Sequence, residues 1–491
     1  MDAPWTVCNF YLFVFLEDTM NLILLLLIPF VQAIFVSLVR RIPKEGAFIM
    51  SLVPLLLLIV LPGDWIGSKV QFPWFEPLSI QFYLSVDSLS LVFLYLTAIV
   101  IPFSLLAVPS EINHSKPIFY ALVLVTQGLL FGFFMARDLF LFAIFFEAML
   151  FPLFLIISMW GGDNRERVAF KFILFMIGGS ALMILAIIAL FLTSGTLDIG
   201  QLSSINNIPY ASLLFLLFVL AFAVKTPLFP FHGWLPETYT VAPFGGSILL
   251  AAVLSKGGIY GLARIGLEIF PEQMRELSPW LLTLALIGVL WGGLAAWVQS
   301  DFKRLIAYSS FSHVNFVLAG LFVMNEIAVS GSLLQAFNHG ITITSLFLVA
   351  GWLKERLGTT SIIGTSGLAK FLPHLCWLTL FFVLASIALP GTNSFIGELL
   401  ILYGLFLRNA YAAAVLGCGV ILSAIYMLRW MQKTYFEAPS FFKESWIDIQ
   451  KKEFLIALPL IVIILWIGIY PSPMIKLSND ALKMISLSTE F

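Results

Sequence analysis

The chain is dominated by apolar runs, each about as long as a helix needs to cross hydrocarbon, roughly 20 residues. Fourteen of them are legible, at about 21–39, 47–62, 87–108, 117–135, 138–158, 169–193, 211–231, 244–266, 279–298, 303–323, 329–353, 375–406, 411–431 and 453–470. Fourteen crossings of that length need about 280 positions of 491. No room is left for a sizeable soluble catalytic domain. The expected class is an all-α integral membrane protein whose reactions use groups within the bilayer or on partner proteins.

The polar residues narrow this further. A net charge of −1 does not suit a protein that binds nucleic acid through its phosphates. Cys8, Cys376 and Cys418 are isolated, whereas zinc and iron–sulfur sites need several grouped ligands. The five histidines (His114, His232, His313, His339, His374) are not paired at ligand spacing on one helix. There is no Walker lysine motif and no dinucleotide fingerprint after a strand. A self-contained redox enzyme or ATPase is therefore not expected.

Lys and Arg placement orients the spans. With the loop after the first span inside, 17 of the 26 basic residues fall on that side and 7 on the other. Lys225 and Lys256 lie within spans. Both termini are expected outside. Residues 1–17 lack a basic start and a cleavage site. They are expected to be an extra leader or an interfacial piece, too short to span. A surface hairpin is expected within Gly63 to Ser85, and a lateral segment from Gln432 to Glu453 that could reach a neighbour. A bacterial inner membrane is preferred over a mitochondrial one.

Four ionisable residues interrupt apolar runs: Glu147, Lys225, Lys256 and Glu398. Each costs roughly 2.5–3.5 kcal/mol at a bilayer centre. Burial favours the neutral form of either group, and a nearby opposite charge favours the charged form. Moving Glu147 relative to Lys225 would therefore load or unload a proton. The alternative is a static ion pair that fixes helix packing. Gly257 and Gly258 beside Lys256 would allow close helix approach. His313 and His339 lie in spans interleaved with hydroxyls and amides, suited to a relay between Lys256 and Glu398, or to hydrogen-bonded packing. His232 follows a break and would relay protons or bond freed carbonyls.

Two spans are interrupted by proline near an ionisable group: Lys225-Thr-Pro227-Leu-Phe-Pro230, and Leu389-Pro390-Gly391 ahead of Glu398. Paired interruptions of this kind point to a transporter-like repeat, with five-span units at 117–266 and 279–431. Residues 1–116 and 432–491 flank them. Arg264 and Glu268, spaced i,i+4 near a span end, read as a surface ion pair. Asp301, Lys303 and Arg304 read as a solvated loop.

Several segments resemble a known family. They are Phe145-Phe-Glu-Ala-Met-Leu-Phe-Pro152 through Trp160-Gly-Gly162, Lys225-Thr-Pro-Leu-Phe-Pro-Phe-His-Gly-Trp-Leu-Pro236, Gly258-Ile-Tyr-Gly-Leu-Ala-Arg264, Gln299-Ser-Asp-Phe-Lys-Arg through His313, Asn338-His-Gly340 and Leu389 to Glu398. Across about 85–430 the chain is similar to the antiporter-like, proton-pumping membrane subunits of respiratory complex I. The resemblance implies fourteen helices, two inverted five-helix repeats, and broken helices seven and twelve. It implies that Glu147 tunes Lys225, that Lys256 is a central relay with His313 and His339, and that Glu398 lies near the exit. It places flavin, iron–sulfur clusters and quinone in partner subunits, with NADH oxidation there and none of these cofactors in this chain. Neighbouring antiporter-like subunits are implied too. A multisubunit sodium/proton antiporter or a membrane-bound hydrogenase is the alternative. There are two departures. Tyr239 stands where the family carries histidine, and Ser255 where an apolar residue is usual.

Overall fold

A computed structural model describes residues 4–39, 42–60, 65–107, 115–439 and 446–484, with side chains from residue 19 to 483. Among these, eleven helices are long and apolar enough to cross a membrane. They are Thr19–Leu38 (span 1), Ser88–Leu106 (span 3), Lys116–Met135 (span 4), Leu139–Trp160 (span 5), Arg165–Ser194 (span 6) and Phe244–Leu267 (span 8). Pro271–Trp297 (span 9), Phe302–Phe322 (span 10), Glu326–Leu357 (span 11), Ala410–Phe436 (span 13) and Lys451–Ile469 (span 14) follow. Three further crossings are made in pieces. Span 2 is Lys44–Ser51 and Val53–Val60, span 7 is Ala211–Lys225 and Leu235–Val241, and span 12 is Pro373–Ser386 and Asn393–Arg408. Fourteen crossings result, as expected.

Proline sets the interruptions. Pro54 lacks the N–H that would continue span 2, and Pro152 does the same where span 5 kinks after Ala148. Spans 8, 10 and 11 are buried along nearly their whole length and form the centre. Spans 1, 6, 9, 13 and 14 carry large exposed apolar side chains, the pattern of lipid-facing helices. The helix of span 1 begins at Pro4. Residues 4–17 thus continue that helix and do not form the separate piece expected, while their side chains lie outside the described residues.

The surface hairpin forms where it is expected. Strands β1 (Lys69–Phe75) and β2 (Ile80–Ser85) pair antiparallel, with Lys69 opposite Ser85. The lateral segment is different. Past the π-helical end of span 13 at Gln432–Phe436, its described residues as far as Gln450 are not helical, and they fold back onto the chain. Arg356 donates to the Ile447 and Asp448 carbonyls and forms a two-pronged pair with Glu453. Asp448 accepts from the His374 and Leu375 amides and so caps the first half of span 12.

Two readings of charged residues are corrected. Arg264 and Glu268 are not an isolated surface pair. Arg264 is 1% exposed and joins Asp87 at 2.6 Å and Glu268 at 2.9 Å, while Arg137 holds Glu268 at 2.6 Å and Asp87 at 3.4 Å. Two acids and two bases thus tie the starts of spans 3 and 5 to the end of span 8, next to the hairpin. Arginine suits such a site because its planar fork bonds two carboxylates at once. The i,i+4 spacing was visible in sequence, but partners 131 and 177 residues away were not. Nearby, Asp138 caps span 5 through the Phe140 and Leu141 amides, and burial pushes its carboxyl up to about 6.

The second correction concerns Lys303. It is 5% exposed, not solvated, and its ammonium donates to the Ala242 carbonyl over the Phe244 ring. Asp301 caps span 10 through the Arg304 amide, and Arg304 alone of the three is exposed.

Candidate functional site

The helix Ala211–Lys225 stops inside the protein because Pro227 cannot continue it. Lys225 therefore sits in the last turn of a half-helix, where the helix dipole favours a cation. It is fully buried. Its Nζ lies 2.6 Å from Glu147 Oε1 and 3.6 Å from the centre of the Phe146 ring. Glu147 comes from the turn before the Pro152 kink of span 5 and keeps 27% of its side chain exposed. The pair is thus asymmetric, with a dry lysine and a partly open carboxylate.

Lys256 lies in span 8 between two π-helical stretches, Leu250–Leu254 and Leu262–Leu267. Such turns recur at functional sites because they shift the carbonyl pattern. Lys256 Nζ donates to the Ala251 carbonyl at 2.7 Å and meets His339 Nδ1 at 2.7 Å. When the lysine carries its proton, Nδ1 accepts, and the ring's own N–H sits on Nε2. That Nε2 has no partner among the described residues. The His339 and His313 rings are 5.8 Å apart, centre to centre, and His313 Nδ1 lies 3.3 Å from Glu398 Oε1. Glu398 is 3% exposed and accepts from Gln335 at 3.2 Å.

The structure therefore assembles two groups. One is Glu147–Lys225. The other runs Lys256–His339–His313–Glu398 across spans 8, 11, 10 and 12. Between them lies Thr226, whose buried hydroxyl has no partner and faces Gly258. Ser310, Asn315, Gln335 and Asn338 also present buried oxygen atoms without a protein partner. Buried polar atoms are almost always hydrogen-bonded, so these mark places for bridging water.

His232 is not in this line. It stacks on Phe311 at 4.3 Å, and its buried Nδ1 has no hydrogen-bond partner among the described residues. Sequence reasoning missed the groups that hold the breaks. Trp234 Nε1 donates to the Val224 carbonyl at 2.9 Å, and Asn315 of span 10 donates to the Pro227 carbonyl at 3.1 Å. At the second break Asn338 and Asn393 exchange amide-to-carbonyl bonds at 2.8 and 3.2 Å. Gly391 has a positive φ of 92°, which a side chain would strain. Freed carbonyls within a bilayer must be met inside the protein. An asparagine beside each polar-streaked histidine was the available signal.

Gly257 and Gly258 do allow close approach. A Cβ at Gly258 would overlap the Thr226 hydroxyl and come within 2.9 Å of the Phe222 carbonyl. The backbone there cannot yield cheaply. Gly258→Ala is expected to cost about 1–3 kcal/mol by overpacking and to lower the unfolding temperature of the purified complex. An unchanged melting curve would refute this tight contact.

Among the described residues, no three His, Cys, Asp or Glu side chains gather as metal ligands. A family model described as NADH:quinone oxidoreductase/Mrp antiporter, transmembrane, matches residues 136–425. The chain is 35% identical over 458 residues to NADH-ubiquinone oxidoreductase chain 4 of Marchantia polymorpha, covering 91% of this chain and 92% of that one. It is 37% identical over 412 residues to NADH-quinone oxidoreductase subunit M of Rhodobacter capsulatus, covering 80% of each. It also superposes on a chain of respiratory complex I from Thermus thermophilus with bound NADH, at a TM-score of 0.86 and 31% identity, over 95% of this chain and all of that one.

Proposed function

The chain belongs to the NADH:quinone oxidoreductase/Mrp antiporter family of membrane subunits, and on that premise we propose that its buried Glu, Lys and His residues carry protons across the membrane arm of complex I. It is an antiporter-like multi-pass membrane subunit of the M or chain 4 type, and its relatives favour this over a sodium/proton antiporter or hydrogenase subunit. Its partners are the other membrane and peripheral subunits of that complex.

The observation that carries the mechanism is the line Lys256–His339–His313–Glu398, with Glu147–Lys225 beside it. Lys225 holds a proton while Glu147 is near. When Glu147 withdraws, the desolvated ammonium favours release. The proton passes to Lys256, then through the imidazoles to Glu398 and the opposite face. Imidazole suits the middle of the path because it takes a proton on one nitrogen and gives one from the other. The units 117–266 and 279–431 are read as inverted repeats, supported by the matching breaks in spans 7 and 12. Flavin, iron–sulfur clusters and quinone are read as bound by partner subunits. A bacterial inner membrane is the preferred residence.

The test is Lys256→Ala in the intact complex. NADH-driven pumping and quinone reduction are expected to fall together by at least about tenfold, with assembly retained. Full pumping in an assembled complex would remove Lys256 from the path.

A further inference from the structure

At Gly468 the end of span 14 rests on the break of span 12, where a Cβ would fall 2.2 Å from the Gly391 carbonyl oxygen. Toward the Lys/Arg-rich side the two helices part. A cleft of about 670 Å³ opens there between the first half of span 12 and the start of span 14. One wall runs from His374 through Trp377 to Phe381, spaced i, i+3, i+7 along one helical face. The other runs from Lys451 through Leu455 to Ile461. Trp377 is 69% exposed and Leu455 64%, so the chain itself covers neither.

Depth, charge and size together say what fills this cleft. Ten residues separate Lys451 from Ile461, about 15 Å of helix. That is half of a hydrocarbon core about 30 Å thick. The cleft thus runs the depth of one leaflet, with its ionisable groups gathered at the mouth. The neighbouring carboxylates are engaged elsewhere. Glu453 serves Arg356, Glu45 holds Lys452, and Asp448 accepts from the His374, Leu375 and Ile449 amides. Lys451 is left as the cation at the mouth. On the facing wall the His374 ring meets Asp448 through Nδ1 at 2.8 Å, which leaves Nε2 for a ligand. Trp377 follows one turn deeper, and tryptophan is the residue that anchors at head-group level. Ten residues of a neighbour's helix, about 10–12 Å wide and 15 Å long, need on the order of 1,400 Å³. That is about twice the volume present, whereas a single acyl chain is slender enough to enter.

We propose that this cleft is a specific site for an anionic phospholipid of the leaflet on the Lys/Arg-rich side, with its phosphate on Lys451 and His374 and one acyl chain along Trp377, Phe381 and Leu455. Basic groups beside spanning helices draw anionic head groups in this way. The second acyl chain lies in the bulk bilayer. The bound lipid fills the gap behind the first half of span 12, the helix that leads to the break ahead of Glu398.

The experiment places the assembled complex in phosphatidylcholine vesicles containing a trace of phosphatidylglycerol with a diazirine in one acyl chain. After irradiation the labelled peptides are mapped. Label is expected in Trp377–Phe381 and Phe454–Ile461, at least about fivefold above that on the lipid-facing Ile184 of span 6. Replacing part of the phosphatidylcholine by unlabelled phosphatidylglycerol is expected to displace it. Lys451→Glu is expected to cut the cleft label at least about tenfold, and Lys451→Arg to keep it within about twofold. An acid in the first turn of a helix is favourable, so the loss in Lys451→Glu reports on the ligand and not on folding. Leu455→Trp fills the cleft and is expected to abolish the label. Equal labelling of the cleft and Ile184 would mean ordinary surrounding lipid and overturns the proposal. A cleft label that unlabelled phosphatidylglycerol does not displace, or that Lys451→Glu leaves intact, removes the head-group recognition and overturns it too. No label in the cleft does the same, and a Leu455→Cys cross-link to another subunit would then identify a protein occupant.

Discussion

Membranes carrying Lys225→Ala are expected to lose redox-driven proton pumping by about 100-fold, with quinone reduction falling in step, in a complex that still assembles. The geometry explains both halves of that result. Lys225 is fully buried at the end of a half-helix, and Glu147, at 2.6 Å, is its ion partner. Removing the lysine leaves a carboxylate with 27% of its side chain exposed, which water or a proton can satisfy. The fold is therefore spared while the switch is lost. Glu147→Gln is the harsher change for stability. It strands a buried ammonium, and breaking one side of a buried pair typically costs about 3–5 kcal/mol unless the lysine sheds its proton. The double variant Lys225→Ala/Glu147→Gln should be no more defective in pumping than Lys225→Ala alone, because both act on one coupled step. Unchanged protons per NADH in Lys225→Ala would make this residue a packing element.

The second large effect concerns stability at the face opposite the Lys/Arg-rich side. Arg264→Leu is expected to cost about 3–5 kcal/mol, seen as less assembled subunit and a lower unfolding temperature in detergent. Arg264 donates to Asp87, Ser90 and Glu268 and stacks on Tyr260. Burial alone would raise the Asp87 carboxyl, but Arg264, with Arg137 behind it, holds it well below the usual carboxylate range. A depressed carboxyl contributes stability above its unfolded value near 3.9 and loses it as pH falls through the folded value. The contribution is thus complete at neutral pH. In Arg264→Leu, burial dominates and Asp87 prefers its proton. The gap between parent and variant should therefore narrow as pH is lowered toward about 4. A gap that stays constant with pH would show that lost packing, not lost charge, destabilises the variant.

Length and apolar spacing reveal the fourteen crossings, because hydrocarbon demands a fixed length from every helix. The four intramembrane charges are as visible, since each breaks an apolar run. Their pairing is less legible. Lys256 meets His339 across 83 residues, and periodicity says nothing about which buried groups face each other. Lys303 was misread because its Asp-Phe-Lys-Arg setting has the composition of a solvated loop. The helix begins one residue earlier, at Phe302, and turns this lysine inward while Arg304 points out. The contacts of the lateral segment were hidden for a related reason. Its charged residues suit an exposed helix, but the described ones instead serve Arg356 and the start of span 12.

The way the breaks are held bears on whether the chain can be divided. The loop between spans 8 and 9 looks like a natural place to cut it into halves. Yet Asn315, beyond that loop, satisfies the Pro227 carbonyl before it, and His339 does the same for Lys256. Each half alone would insert with an open backbone carbonyl, a stranded ammonium or an orphaned imidazole facing lipid. Split versions of this protein therefore have to be co-produced and meet in the membrane, and a single half has no stable existence as a minimal transporter.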